Sequence, residues 1–174
     1  MEQTALVIVD SQEGIFGRGE HATWRRTQTL ENIKLLLDKA RETKMPVIFI
    51  QHDDAGLPHG SDGWQICREI APREGEKVVA KHTIDSFYQT RLDSVLHQLG
   101  IKTLILCGMQ TEYCVDTACR RAFTMGYRAY LALDGHTSRD NELLTAAQIT
   151  AHHNRTLQSE HLDIKTTKEL LDMM

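Results

Sequence analysis

Short, continuous apolar runs recur along this chain, and they constrain its fold more than any other feature. The first, at residues 5–9, is rich in β-branched side chains and ends at the carboxylate of Asp10. Such a run is typical of a strand that is buried on both faces of a parallel sheet, because that strand has no side facing solvent. Further runs lie at residues 47–50, 78–80, 101–107 and 129–133, and we expect Gly108 to end the third of these. The sequence therefore predicts a mostly parallel sheet.

Between these runs, apolar residues recur at intervals of three and four positions, which is the spacing of one helix face. This spacing predicts helices over about residues 27–44, 92–99, 112–125 and 143–157. A small last strand is expected around Ile164, and Thr166 and Glu169 have the spacing of a capping box that opens a short final helix. Strands that alternate with helices form βαβ units, so the expected architecture is α/β and doubly wound. The length of 174 residues suits one domain over residues 1–174.

Composition and charge exclude several classes of partner. A formal net charge of −4 gives no electrostatic reason to expect nucleic acid or an anionic membrane. No apolar stretch approaches the roughly 20 residues that span a bilayer, and no basic stretch of a signal peptide follows Met1. The four cysteines form no C-x-x-C pair, so we expect free thiols in a reducing cytoplasm. Cys107 and Cys119 lie in apolar segments and are expected in the core, whereas Cys67 stays unassigned.

The first polar residues beyond the predicted strands are candidates for chemistry, because open parallel sheets place their sites at the carboxyl ends of the strands. Asp10, Lys81 and Cys114 follow the first, third and fourth strands. Cys114 lies near the start of a predicted helix, where the helix terminus and a nearby Lys favour a thiolate. We therefore expect a carboxylate, an amine and a thiol to meet at one edge. Position alone leaves other interpretations open: a core Cys, a solvated Lys and an Asp that caps the next turn.

Three stretches carry a family resemblance. They are Asp10-Ser11-Gln12 followed by Phe16, Lys81 followed by Phe87 and Thr90-x-Leu92, and Gly108-x-x-Thr111-x-x-Cys114-Val115. In this order they resemble the isochorismatase-like cysteine hydrolases, a family that includes nicotinamidases and N-carbamoylsarcosine amidohydrolase. The resemblance covers about residues 6–157 and implies a three-layer sandwich around a six-stranded, mostly parallel sheet. It also implies a catalytic triad of Asp10, Lys81 and Cys114.

The same resemblance implies further roles. Family members have a cis peptide bond that here would join Met109 to Gln110, and the N–H groups of Gln110 and Cys114 would form an oxyanion hole. The triad would cleave the C–N bond of a small-molecule amide through a thioester on Cys114, without a cofactor. Because members commonly assemble as dimers or tetramers, a homo-oligomer is expected, with a neighbouring subunit near the pocket. The side chains expected to line the substrate pocket are Gln12, Phe16, His52, Trp64, Glu112 and Tyr113.

Several alternatives stay open at this point. Residues 60–66, 110–113 and 152–155 are also similar to a bacterial subgroup that includes streptothricin hydrolase. Nicotinamidases of the family bind a metal through Asp-x-His and further histidines after the second strand. His52, Asp53 and His59 are ligand-type residues there, but their spacing departs from that motif, so no metal is predicted and a metal-containing nicotinamidase is the alternative. A non-catalytic, oligomeric member of the fold is another. A receiver-type phosphorylation domain is not expected, because Ser11 stands where a second acidic residue would be needed.

Overall fold

A six-stranded parallel sheet forms the centre of the molecule. The structure is a computed structural model that describes residues Met1–Met174. All neighbouring strands pair in parallel, in the order β3-β2-β1-β4-β5-β6. The strands are β1 (Thr4–Val9), β2 (Val47–His52), β3 (Lys77–Lys81), β4 (Thr103–Met109), β5 (Arg128–Thr137) and β6 (Leu162–Lys165). The predicted α/β fold is therefore confirmed, with a sheet that is parallel throughout.

Helices cover both faces of this sheet. They are α1 (Glu13–Phe16), α2 (Arg26–Glu42), α3 (Leu92–Gln98), α4 (Asp116–Thr124), α5 (Ala146–Leu157) and α6 (Thr167–Met173). Because side chains alternate between faces along a strand, β1 contributes Leu6 and Ile8 to one apolar cluster and Val7 and Val9 to another. The first cluster packs against α2 and α6, and the second against α3, α4 and α5. The doubly wound, three-layer arrangement is thus the one predicted.

The ends of β4 and β5 differ from the prediction. Gly108 was expected to end the fourth strand and Asp134 to lie beyond the fifth, yet β4 continues to Met109 and β5 to Thr137. The pairing of the two strands shifts register between Leu106 and Gly108, which is a β-bulge. Gly108 fits there because its φ is +123° and because its backbone lies against Val9. The polar tail of β5 looks like a loop in the sequence, but it pairs with β4 beside the site.

Helix boundaries also depart from the apolar spacing. The helix predicted from residue 112 begins as a wide π-helical turn, Thr111–Val115, which passes into α4. The helix predicted from residue 143 begins at Ala146, after a capping box between Thr145 and Gln148. The capping box of Thr166 and Glu169 is present as predicted. No helix combines the length and the apolar character that crossing a membrane requires.

Candidate active site

Three of the residues singled out in the sequence meet at the carboxyl edge of the sheet. The Nζ of Lys81 lies 2.7 Å from Oδ2 of Asp10 and 3.2 Å from Sγ of Cys114. Asp10 follows β1, Lys81 ends β3, and Cys114 lies in the π-helical turn after β4. The parallel order of the strands therefore brings a carboxylate, an amine and a thiol from distant parts of the chain into one cluster.

The ion pair of Lys81 and Asp10 is withdrawn from solvent. The exposed fraction is 0% for the Lys81 side chain and 1% for that of Asp10. Lys81 Nζ also donates to the carbonyl oxygen of Thr83 at 2.8 Å. Beyond the ion pair, neither carboxylate oxygen of Asp10 accepts a hydrogen bond. Two buried charges require each other as partners, and the carboxylate keeps lone pairs with which it can accept a proton.

Burial governs how these three groups ionise. Burial and the negative charge of Asp10 raise the pKa of the Cys114 thiol to about 12, and Lys81 opposes this only in part. Burial raises the pKa of the Asp10 carboxyl, although Lys81 acts in the opposite sense. Burial alone would lower the pKa of Lys81, but the neighbouring charges outweigh it and the pKa is raised. Burial therefore disfavours the thiolate that the helix start and Lys81 favour, and the Cys114 thiol is protonated at neutral pH.

Cys114 differs from the other cysteines in its exposure. Cys67, Cys107 and Cys119 are fully buried, whereas Cys114 is only half-buried. Cys107 and Cys119 lie in the two apolar clusters, as predicted. Cys67 lies in the cluster that packs against α2 and α6. Burial raises the pKa of the Cys67 thiol to about 12. Reagents and substrates can thus reach only the thiol beside the ion pair.

The backbone before the π-helical turn offers a free donor. The peptide bond between Met109 and Gln110 is cis. The N–H of Gln110 donates no hydrogen bond to any group of the chain. The side-chain Nε2 of Gln110 donates to the carboxylate of Glu112 at 2.7 Å. The hydroxyl of Ser138 donates to the same carboxylate, also at 2.7 Å. These contacts fix the peptide that precedes the turn.

Two residues predicted to line the pocket serve as internal supports instead. Gln12 is fully buried, and its Nε2 donates at 2.8 Å to the carbonyl oxygens of both His52 and Trp64. Its Oε1 accepts from the N–H of His52 at 2.8 Å. Phe16 is also fully buried and packs in the cluster beneath α2. Neither side chain has surface that a substrate could contact, because contacts with the loop and the core bury both completely.

The remaining predicted pocket residues keep accessible surface. His52 is half-buried, and its Nδ1 has no hydrogen-bond partner. Trp64 is half-buried too; its ring lies 4.2 Å from that of His59 at a tilt of 48°, and its Nε1–H is unpaired. Glu112 and Tyr113 adjoin Cys114 in the turn, with Tyr113 exposed. The ring nitrogens of His52 and Trp64 are the buried polar atoms of this set that lack an internal partner.

The residues considered as alternative metal ligands separate into two groups of contacts. His52 Nε2 lies 3.1 Å from the carboxylate of Asp54. Asp53 instead contacts His59 at 3.3 Å and also His82, a residue that the sequence did not single out. The ligand atoms of His52, Asp53 and His59 do not come within 4.8 Å of one another as a set. His52, Asp53 and His59, whose spacing departs from the nicotinamidase motif, thus do not converge on one point.

Fold and site together define a class: an α/β protein with a thiol and a buried ion pair at the carboxyl edge of its sheet. Residues 4–158 match the model of the Isochorismatase domain, and the chain belongs to the isochorismatase family, as the motifs predicted. Members of this family are hydrolases, among them amidohydrolases.

Similarity to individual proteins extends over most of the chain. The isochorismatase family protein YddQ of Bacillus subtilis is 29% identical over 97% of this chain and 98% of its own length. Streptothricin hydrolase of Streptomyces noursei is 33% identical over 78% of this chain, but over only 50% of its own length. The crystal structure of an isochorismatase hydrolase from Oleispira antarctica superposes with a TM-score of 0.89 at 32% identity, covering 99% of this chain and 98% of that one.

Proposed function

We propose that this protein is a cysteine-dependent hydrolase of a small-molecule amide, with Asp10, Lys81 and Cys114 as its catalytic triad. The observation that carries this proposal is the contact of the half-buried Cys114 thiol with Lys81 Nζ at 3.2 Å, beside the buried carboxylate of Asp10. A nucleophile, a base and a cation within contact of one another are the parts that covalent acyl transfer requires. Membership of a family that includes amidohydrolases supports an amide substrate.

In the first half of the reaction, the Asp10 carboxylate takes the proton of the Cys114 thiol while Sγ attacks the carbonyl carbon of the amide. The new C–S bond leaves negative charge on the carbonyl oxygen, which the N–H groups of Gln110 and Cys114 stabilise. The C–N bond then breaks, and Asp10 passes its proton to the leaving nitrogen. Ammonia or an amine departs, and a thioester on Cys114 remains.

In the second half, Asp10 takes a proton from water, and the hydroxide attacks the thioester carbonyl. The C–S bond breaks, the proton returns to sulfur, and a carboxylic acid is released. Lys81 stabilises the thiolate whenever it forms, and its charge favours the ionised state of the buried Asp10. Because the raised pKa of the thiol disfavours a resting thiolate, proton transfer to Asp10 is coupled to the attack of sulfur.

The test is a screen of small amides and ureido compounds for ammonia release, with the wild type and Cys114→Ser in parallel. The wild type is expected to turn over at least one compound, and Cys114→Ser to lose that activity by several orders of magnitude. Mass spectrometry after brief exposure to an amide or aldehyde should place the adduct on Cys114, with the three buried cysteines as internal controls. Full activity in Cys114→Ser would exclude the mechanism.

We also propose that the chain acts as a homo-oligomer in the cytoplasm. Exposed apolar side chains follow the carboxyl ends of β3, β4 and β5, on the edge that carries the triad: Ile84, Tyr88, Tyr113, Leu143 and Leu144. A second copy of the chain that covers this edge would also close the pocket. The four free thiols favour a reducing compartment.

A further inference from the structure

A buried polar chain runs beneath the turn that carries Cys114. The hydroxyl of Thr111, in the π-helical turn, lies 2.8 Å from Nδ1 of His136 in β5. The Nε2 of that ring lies 2.9 Å from Oδ1 of Asn154 in α5. Thr111 and His136 are buried and Asn154 is half-buried. Three side chains from three elements therefore form one hydrogen-bonded chain that ends at the turn.

The direction of each hydrogen bond between these three side chains follows from the contacts of Asn154. Nδ2 of Asn154 donates to the carbonyl oxygen of Leu133 at 3.2 Å, so Oδ1 is the atom that faces His136. An amide oxygen only accepts, so Nε2 of His136 carries the proton and Nδ1 bears a lone pair. That lone pair accepts from the hydroxyl of Thr111. The chain thus needs a neutral imidazole in a single tautomer.

The surroundings of His136 hold the ring in its neutral form. Asp134 on its own strand and Glu112 on the π-helical turn favour the imidazolium ion, whereas His153 on α5 disfavours it. The His153 ring is itself bound to Asp116 at 3.0 Å. Burial outweighs these charges and lowers the pKa of His136 to about 4. Across the neutral range the ring therefore accepts the hydrogen bond of Thr111 without a change of state.

Thr111 links these hydrogen-bonded side chains to the turn that contains Cys114. Its carbonyl oxygen accepts from the N–H of Asp116, and this bond closes the wide turn. The carbonyl oxygen of Gln110 accepts from the N–H of Val115 at 3.2 Å. Cys114 lies within the loop of backbone that these two bonds enclose. A Thr111 side chain held in one rotamer therefore fixes where the turn presents the thiol.

We propose that His136 and Asn154 are positioning residues that hold Thr111 and, through it, Cys114 in the geometry for attack. This inference rests on the proposed function, because it assigns the network to the same thiol. The ring of His136 contacts Thr111 and Asn154 and not Cys114, so its role is indirect. The long tail of β5 serves this role: pairing of His136 with Gly108 sets the ring at the level of the turn.

The first experiment removes the hydroxyl that His136 holds. Thr111→Val keeps the shape of the side chain but cannot donate, and Thr111→Ser keeps the donor. We expect Thr111→Val to lower kcat by about tenfold to a hundredfold with KM within about twofold, since misplacement of a nucleophile by about 1 Å has effects of this size. Thr111→Ser should restore most of kcat. Equal kcat in the wild type and Thr111→Val would overturn the proposal.

The second experiment changes the charge state of the ring. Asn154→Asp would accept from Nε2 and favour the imidazolium ion, which puts a proton on Nδ1 and removes the acceptor of Thr111. In this variant kcat should lie nearest the wild type at about pH 8 and fall by about tenfold more than the wild type between pH 8 and pH 5.5, as the pKa of His136 rises toward its ordinary value. Ala151→Asp places the same charge on the exposed side of α5 and should leave the pH profile of kcat unchanged.

Nitrogen NMR of the histidine rings supplies a readout that does not depend on activity. The wild type should show His136 neutral and protonated on Nε2 from pH 5.5 to pH 8, and Asn154→Asp should show it charged at the lower end. An Nδ1–H tautomer or a charged ring in the wild type contradicts the assignment. If Cys114→Ser is inactive while Thr111→Val keeps full kcat, the positioning role falls and the proposed function stands. If Cys114→Ser keeps its activity, both fall.

Discussion

At the scale of single residues, the pair of Lys81 and Asp10 governs the site. Each side chain is fully buried, and each is the only opposite charge within contact of the other. Lys81 offsets part of the desolvation of the Asp10 carboxylate, and the carboxylate in turn raises the pKa of the nearby thiol. The arrangement sets a buried carboxyl group with a raised pKa next to a thiol whose pKa is also raised. In the proposed mechanism, such a pair suits proton transfer from the thiol to Asp10 in concert with the attack of sulfur.

This pairing predicts how the stability responds to neutral substitutions. Lys81→Met leaves the Asp10 carboxylate buried without a partner and should lower the free energy of unfolding by about 3–5 kcal/mol. Combining it with Asp10→Asn removes both charges and should recover part of that loss, which urea denaturation of the single and double variants would measure. Arg128→Met breaks an exposed pair with Asp163 and should have little measurable effect. Additive losses in the double variant would contradict the coupling.

At the scale of elements, the bulge in β4 links the sheet to the site. Between Leu106 and Gly108 the pairing with β5 shifts, and beyond the shift Gly108 pairs with His136 and Met109 with Thr137. On its other side Gly108 pairs with Val9, the last residue before Asp10. One glycine therefore lies between the strand that presents the carboxylate and the strand that supports the turn of the thiol. Its backbone geometry is part of the site.

The bulge predicts a large effect for a small substitution. In Gly108→Ala the new Cβ would lie 2.0 Å from the carbonyl oxygen of Val9, at a φ of +123°. We expect a loss of more than about 3 kcal/mol in the free energy of unfolding, because two strands must separate to admit the methyl group. Gly100→Ala is the matched control: its φ is +67° and nothing lies within 4 Å, so only the left-handed backbone is penalised, by about 1–2 kcal/mol. Equal losses in the two variants would show that the contact with Val9 is unimportant.

The same elements show how far the sequence alone predicts this molecule. The strands and the meeting of Asp10, Lys81 and Cys114 were predictable, because β-branched runs are local and parallel strands share one carboxyl edge. The tail of β5, residues 134–137, was not predictable from the sequence. It is a strand because it pairs with β4, and no local sequence pattern indicates that pairing. The burial of the Gln12 side chain and the hydrogen bond of His136 to Asn154 were unpredictable for the same reason: both depend on partners that are distant in sequence.

At the scale of the whole molecule, apolar surface gathers at the edge that carries the triad. Leu143 is 90% exposed and follows β5, while Ile84 and Tyr88 follow β3 and Tyr113 lies in the turn of the nucleophile. Apolar side chains gathered around a polar site are typical of a surface that another protein covers. A second copy of the chain that covers these side chains would bury Leu143 and would also cover the proposed active site.

This surface predicts that assembly and activity are coupled. The wild type should sediment as a dimer or tetramer at micromolar concentration, and Leu143→Glu should shift it toward the monomer, since a buried carboxylate opposes an apolar interface that needs roughly 800 Å² on each partner. Activity of Leu143→Glu toward the amide identified in the screen should fall in proportion to the monomer fraction and recover at high protein concentration. Leu35→Glu adds the same charge at a leucine of α2 that is 51% exposed and outside this set of side chains, and it should change neither assembly nor activity. A monomeric wild type that is fully active would show that the pocket is complete within one chain.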